Sequence, residues 1–320
     1  MPDEFVIRIR SLTHRYGQTV AVNDLTWKIA PATIVAVLGP NGCGKTTLFK
    51  ILTGVLSPSE GEVSIFELPF ARERRIVLGR MGVVFQKPSL DGKLTVMENL
   101  TYHGRLFGLS GEPLIRRCTD CLQRFGLSDS MKIRVDKLSG GMQRRVEIAK
   151  ATLHQPELLI LDEPSTGLDP GARQAVMRHL HDLRDKDRVT AVLTTHLMEE
   201  ADRCDVVAVM DKGRLVACDT PLALKSQIGG DVITIHAPDP SSLAARLLGR
   251  FQIPASVVGD MVRMEKDSGF EFVPKIVEAF PGEIKGISVG KPTLEDVFIH
   301  YTGHALNELE SDEQNATRSA

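Results

Sequence analysis

The sequence has no long hydrophobic run. Its longest apolar stretches, such as Thr33–Leu38 and Leu158–Leu161, are of strand length, well short of the roughly 20 apolar residues that cross a bilayer as a helix. The start, MPDEFVIRIR, places acidic residues where a secretory leader is basic, and no apolar segment follows it. The expectation is a soluble chain that reaches a membrane only by docking on something in it. There is no charge excess either: 39 Lys and Arg against 41 Asp and Glu give a net charge of -2. That balance argues against bulk attraction to nucleic acid or to anionic lipid. No internal repeat and no sustained heptad pattern is visible, which sets aside solenoids and long coiled coils. The five cysteines (Cys43, Cys118, Cys121, Cys204 and Cys218) are odd in number and scattered, so they read as reduced thiols. Cys118 and Cys121 form a C-x-x-C, but no second pair and no pair of histidines accompanies them as a zinc site requires. They fall in a helical segment, one turn apart.

What is present is a globular composition, 42% hydrophobic, and a regular alternation of elements. Residues 5–38 alternate like paired strands, FVIRIRSLTHRYG, VAVNDLTWKIA and TIVAVLG, and the last is apolar throughout, as a buried parallel strand is. A helix is expected from Thr46. Helical patterning covers Val96–Ser130 and Gly140–His154. A second buried strand, Leu158–Leu161, ends in Asp162 and Glu163. A helix from Pro170 to Asp185 leads to the strand VTAVLTTH, ending at His196, and DVVAVMDKGRLVACD reads as a hairpin around Lys212-Gly213. This is an α/β fold with a mixed, mostly parallel sheet, carrying a helical insertion at about 88–150. After Pro221 the character changes to a small α+β unit, with strands in DVITIHAPD and MVRMEKDSG and helices in SSLAARLLGRF and FVPKIVEAF. The polar residues 306–320 are expected to be a disordered tail.

The first strand–helix junction carries GPNGCGKTT, Gly39 to Thr47, which fits G-x-x-x-x-G-K-[ST] at Gly39, Gly44, Lys45 and Thr46. Glycines allow backbone N–H groups to converge on phosphate oxygens, and the following helix points its positive end at the same anion. Lys45 can reach the outer phosphates, and the Thr46 hydroxyl is an oxygen donor suited to Mg²⁺. Pro40, Asn41, Gly42, Cys43 and Thr47 complete the loop. By itself this says nucleotide. LLILDEP sharpens it by putting Asp162 at the C-terminal end of a buried strand, where α/β sheets bind ligands. Asp162 suits the metal, and Glu163 is placed to orient or deprotonate an attacking water.

The segment KLSGGMQRRVEIAKATLHQPELLILDEPSTGLDP, Lys137–Pro170, resembles the ATP-binding cassette (ABC) ATPases. Their signature motif falls at Leu138–Gly141, their Walker B strand at Leu158–Glu163 and their D-loop at Ser165–Asp169, and five motifs stand in the family's order. The resemblance implies a P-loop NTPase cassette over residues 5–222, with an antiparallel β subdomain and a helical subdomain, followed by a C-terminal accessory domain at 230–305. It also implies ATP and Mg²⁺ as ligands. Tyr16 would stack on adenine, Gln86 would sense the γ-phosphate and Mg²⁺, and His196 would contact the γ-phosphate. Ser139, Gly140 and Gly141 would cap the ATP of a second copy in a head-to-tail dimer, with Asp169 helping to hold that contact. A cassette without a membrane span implies separate permease chains, received by a groove between Gln86 and about Gly108, and a place on the inner face of the cell membrane. KPTLEDVFIHYTG, Lys291–Gly303, looks like the ending of daunorubicin-type and multidrug-resistance exporter ATPases. It also reads as an amphipathic helix capped by Thr293 and Asp296. The alternative from another class is a non-transport ABC ATPase, acting as a nucleotide-switched regulator or on ribosomes or DNA.

Overall fold

The computed structural model describes residues 5–304, so the expected tail at 306–320 lies outside the described residues. The chain divides into two compact units, the second beginning at Val216; residues 39–41 group with it. In the first unit, β1 (Ile7–Tyr16) and β2 (Thr19–Ile29) form a hairpin, and β3 (Ile34–Leu38) leads into α1 (Lys45–Leu52). Next come β4 (Glu60–Ile65), β5 (Leu68–Pro69), α2 (Phe70–Gly79) and β6 (Met81–Val84). The helical part is α3 (Val96–Leu106), α4 (Gly111–Arg124) and α5 (Gly140–Thr152). β7 (Leu158–Asp162), α6 (Pro170–Asp187), β8 (Thr190–Thr195), α7 (Met198–Ala201) and β9 (Val206–Asp211) follow, and β10 (Arg214–Asp219) spans the point in the chain where the second unit begins.

Two sheets result. One is antiparallel, in the order β2-β1-β4-β5, and the other runs β10-β9-β3-β8-β7-β6. In the second, β3 pairs in parallel with β8 and β9, and β7 with β8 and β6. Every residue of β3, β7 and β8 is buried, because both faces of this parallel sheet are covered, one of them by α1 and the antiparallel sheet. Thus IVAVL has no polar alternation, whereas β2, with one face packed, alternates. The side chains of Ile7, Ile9, Leu12, Val35, Val37, Leu48 and Phe49 join one core that the two sheets share with α1. The Lys212-Gly213 turn has both residues at positive φ, 45° and 79°, the geometry of a two-residue hairpin turn.

The strands β4, β5 and β6 and the helix α2 are additions to what the patterning foretold. β6 is short, and its Gly82 hides the apolar run. That glycine is required by packing: a Cβ there would lie 2.4 Å from the Ala151 carbonyl oxygen of α5 and 2.6 Å from the Leu159 side chain on β7.

The second unit contains α8 (Pro221–Ser226), β11 (Asp231–His236), α9 (Pro240–Phe251), β12 (Ala255–Val258), β13 (Met261–Lys266), α10 (Gly269–Ala279), β14 (Gly286–Gly290) and α11 (Leu294–Thr302). From β11 to β14 the succession is βαββαβ, with antiparallel order β12-β13-β11-β14. This is the ferredoxin-like arrangement, so the expected two strands are in fact four. Ile233, Ile235, Leu243, Leu247, Val262, Met264, Ile276 and Phe280 make its core. On α11, Thr293 and Asp296 form the anticipated reciprocal cap. Arg263, buried on β13, is held by Asp296 at 2.9 Å.

Gly82→Ala is expected to lower stability by about 1–3 kcal/mol through overpacking between β6 and α5, read as a lower midpoint in chemical denaturation.

Candidate nucleotide site

The phosphate-type loop follows β3 and ends at α1. Gly42 and Gly44 have φ of 72° and 106°, values open to glycine at little cost. Gly44 is also confined, since a Cβ would stand 2.3 Å from the Ala21 carbonyl oxygen. It occupies the N-cap of α1, and no side chain caps that terminus, which leaves backbone N–H groups of the first turn to an anion. Lys45 is 4% exposed and Thr47 is buried, while Thr46 is exposed. The Cys43 carbonyl accepts from the Gly213 N–H at 2.9 Å, and burial pushes the Cys43 thiol above its usual range. Gly39, Pro40 and Asn41 precede this turn in the chain.

Asp162 and Glu163 stand where β7 ends, and β8 runs beside it in register, Asp162 opposite Thr194. The Thr194 hydroxyl donates to Asp162 Oδ1 at 2.6 Å and accepts the Glu163 N–H at 2.9 Å. Burial raises the Asp162 carboxyl above the usual range, while the Thr194 hydroxyl and the nearby Lys45 lower it. Glu163 has φ 44°, a left-handed backbone that costs a non-glycine residue about 1–2 kcal/mol. Its side chain gathers three groups. Gln86 Nε2 donates to Oε2 at 3.0 Å, the Thr166 hydroxyl donates to the same oxygen at 2.9 Å, and His196 Nδ1 lies 3.6 Å from Oε1. The last is an ion-pair distance rather than a hydrogen bond. His196, then Thr166 and Gln86, hold the Glu163 carboxyl down to about 2 against the opposing effect of burial. The carboxylate therefore stays ionised through the neutral range.

One side chain ties this cluster together. Arg144, buried on α5, donates through Nε to the Pro164 carbonyl at 2.7 Å, and through Nη1 to the Phe85 carbonyl at 2.7 Å and Glu147 Oε2 at 2.9 Å. Its Nη2 donates to the Asp162 and Glu163 carbonyls at 3.0 and 3.1 Å. That uses all five guanidinium N–H groups. Glu147 also accepts from the Ser89 hydroxyl at 3.0 Å, and Lys150 Nζ donates to the same hydroxyl at 2.6 Å. Arg144, Glu147 and Lys150 thus fix both the segment around Gln86 and the end of β7. Further on, the buried Ser165 donates to Glu200 of α7 at 2.6 Å, which links the segment after Glu163 to the turn after His196.

The structure brings together Gln86, Glu163 and His196, and places Asp162 within electrostatic reach of Lys45. It does not join Ser139, Gly140 and Gly141 to them by any hydrogen bond among the described residues. Ser139 is the N-cap of α5 and accepts the Met142 N–H at 3.3 Å, and Asp169 caps α6 through the Ala172 N–H at 3.0 Å. Tyr16 is about half exposed, with its ring edge-on to His14 at 4.8 Å. Of the C-x-x-C pair, Cys118 is buried and Cys121 donates to the Ala149 carbonyl at 3.2 Å. Thr194, Thr166, Arg144, Glu147 and Ser89 were not anticipated. The one signal in the sequence is that Arg144, Glu147 and Lys150 recur every three residues along α5, and the polar neighbours Gln143 and Arg145 mask it.

Thr46 and Asp162 supply oxygen atoms of the kind that Mg²⁺ takes, so the residues present fit that cation. Among the described residues no group of three His, Cys, Asp or Glu side chains stands together as a metal-holding cluster. No described helix is long and apolar enough to cross a membrane.

Arg144→Lys, with three donors for five acceptors, is expected to lower the unfolding free energy by roughly 2–4 kcal/mol. The same variant should reduce ATP turnover at least about tenfold by releasing Glu163 and Gln86; denaturant melts and phosphate release are the checks.

Comparison with known proteins shows the family and the fold. The sequence model of the family described as "ABC transporter" matches residues 22–166. The Nod factor export ATP-binding protein I of Paraburkholderia xenovorans is 36% identical over 314 residues, covering 95% of this chain and 99% of that protein. Its namesake from Rhizobium meliloti is 34% identical over 315 residues, covering 94% and 89%. Among solved structures, cbiO1 from Clostridium perfringens, part of the ABC transporter complex cbiONQ, superposes with a TM-score of 0.65 at 27% identity, covering 78% of this chain and 97% of its own. A dimeric post-hydrolysis state of the ATP-binding cassette MJ0796, bound to ADP and Pi, gives 0.61 at 27% identity, covering 67% and 98%.

Proposed function

The chain belongs to the ATP-binding proteins of the ABC transporter family, and from that premise we propose that it is the ATP-hydrolysing subunit of an exporter whose membrane permease is a separate chain. It is an ATPase with the P-loop cassette fold. The observation that carries the exporter reading is the end-to-end likeness to Nod factor export proteins, which spans the C-terminal unit as well as the cassette. The cargo class follows the same relatives and the Lys291–Gly303 ending: drugs, lipids or polysaccharides. Residues 5–222 act as the cassette and 230–305 as an accessory domain. The protein works on the inner face of the cell membrane, held there by its permease in the groove between Gln86 and Gly108, and takes no nucleic acid.

In this reading Tyr16 stacks on adenine, and residues 39–47 wrap the phosphates with Lys45 on the outer ones. Mg²⁺ held by Thr46, Asp162 and Gln86 would neutralise charge on the phosphate oxygens. Glu163, ionised and fixed at its backbone, orients a water in line with the γ-phosphate. It takes the proton late, which suits a loose phosphoryl transition state that asks little of a base. His196 supports the γ-phosphate. Ser139, Gly140 and Gly141, at the N-terminus of α5, cap the ATP of a second copy in a head-to-tail dimer.

Glu163→Gln is expected to keep ATP affinity within about threefold and to lower hydrolysis by roughly a hundredfold or more, by nucleotide titration and phosphate release; ordinary turnover overturns the assignment. The transport reading is tested in inverted vesicles holding this chain and the polytopic membrane protein that co-purifies with it. ATP-dependent accumulation of a lipid or saccharide cargo is expected, and a chain that recruits no membrane protein refutes it.

A further inference from the structure

Among the described residues, one sheet edge of the ferredoxin-like unit has no further strand beside it. β14 is the terminal strand of its sheet. Its sequence, Gly286-Ile287-Ser288-Val289-Gly290, has no charge and no proline. Its pairing with β11 runs without a bulge from His236↔Gly286 to Val232↔Gly290. Natural sheets blunt such edges with lysine, proline or a bulge, because unpaired N–H and C=O groups are a template for another strand. Ile287 and Val289 pack toward the domain core yet remain partly exposed, and Ser288 on the opposite face is exposed.

The helix beside this edge carries a second feature. On α10 the buried positions are Gly269, Ile276 and, just past its end, Phe280. A Cβ at Gly269 would lie 2.9 Å from the Val289 side chain, so the start of α10 lies over β14. Phe272 points the other way along the sheet, its ring 5.0 Å from Phe251 at the end of α9. The flank of α10 turned away from α9 carries Phe270, Val273, Pro274 and Val277, the i, i+3, i+4, i+7 spacing of an apolar stripe. Phe270 is 70% exposed and Val277 45%. An apolar helix flank overhanging a free strand edge is a paired surface with two complementary parts, one for main chain and one for side chains.

The strand itself says what fits. Read antiparallel against its own copy about Ser288, it opposes Gly286 to Gly290, Ser288 to Ser288 and Ile287 to Val289, a favourable β-branched cross-strand pair. Lys291, which would face Lys285 of the second copy, is already paired with Asp231 at 2.7 Å. We propose that a second copy of this chain docks here by two-fold antiparallel pairing of β14, giving a continuous eight-stranded sheet with the two α10 stripes packed side by side. The contact is isologous and needs no nucleotide.

The test uses the full-length chain without nucleotide, with chelator present, in sedimentation equilibrium. The parent protein is expected to dimerise reversibly. Ser288→Asp and Ser288→Lys each place like charges on the two-fold axis and should raise the dissociation constant about tenfold, while an equimolar mixture of the two restores dimerisation. Phe270→Glu should weaken the dimer as well. Ser288 is exposed, and unchanged melting curves establish that its variants fold. A parent that stays monomeric, Ser288 variants that dimerise like the parent, or a mixture that fails to recover overturns the proposal. None of these outcomes bears on ATP hydrolysis, which is measured separately and should be unaltered in the Ser288 variants.

Discussion

A buried guanidinium must satisfy every donor it has, and Arg144 does so with backbone rather than with counter-ions. Four of its five hydrogen bonds end on carbonyls, those of Phe85, Asp162, Glu163 and Pro164. Only Glu147 supplies charge. Charge-assisted bonds in a desolvated place are strong and costly to break singly. The segment before Gln86, the end of β7 and the first turns of α5 therefore form one piece. Because α5 begins at Ser139-Gly140-Gly141, the residues proposed for a second copy's ATP and those proposed for hydrolysis lie on elements that Arg144 ties together.

The same bracing explains how Glu163 keeps an unfavourable backbone. Left-handed conformation at a non-glycine residue persists only where the surroundings overdetermine it. Here the N–H is held by Thr194, the carbonyl by Arg144, and the side chain by Thr166 and Gln86. The outcome is a carboxylate aimed off the strand end, with its charge fixed by His196. Asp162, one residue earlier, is instead buried and raised. Neighbouring acids thus have separate environments, one buried and one held by hydrogen bonds at the strand end.

The site was legible because phosphate chemistry admits few residue types. A glycine-rich loop, a lysine, and an acidic pair after LLIL are informative in any context. The buried strands β3, β7 and β8 were legible for a related reason, since a strand covered on both faces shows an unbroken apolar run. What escaped was held in place by neighbours rather than by pattern. β6 and β14 are short and contain glycine, and β12 is half exposed, so none shows a clean period. Arg144 lies among residues that look like an ordinary polar helix surface, and its role depends on carbonyls some twenty and sixty positions away.

The two units differ in how far apart along the chain their neighbours lie. The ferredoxin-like sheet pairs strands from one continuous stretch, Asp231 to Gly290. In the cassette, β3 sits between β8 and β9, so that Ile34 waits for Ala191 and Leu38 for Val209. At the ~5–20 residues per second of synthesis, β3 spends on the order of ten seconds or more without the strands that bury it. IVAVL is thus an apolar segment with no proper neighbour while more than half of the chain is still being made. Biogenesis, rather than catalysis, is where this architecture is most exposed to aggregation, and chaperone occupancy during translation should fall steeply once β9 has emerged.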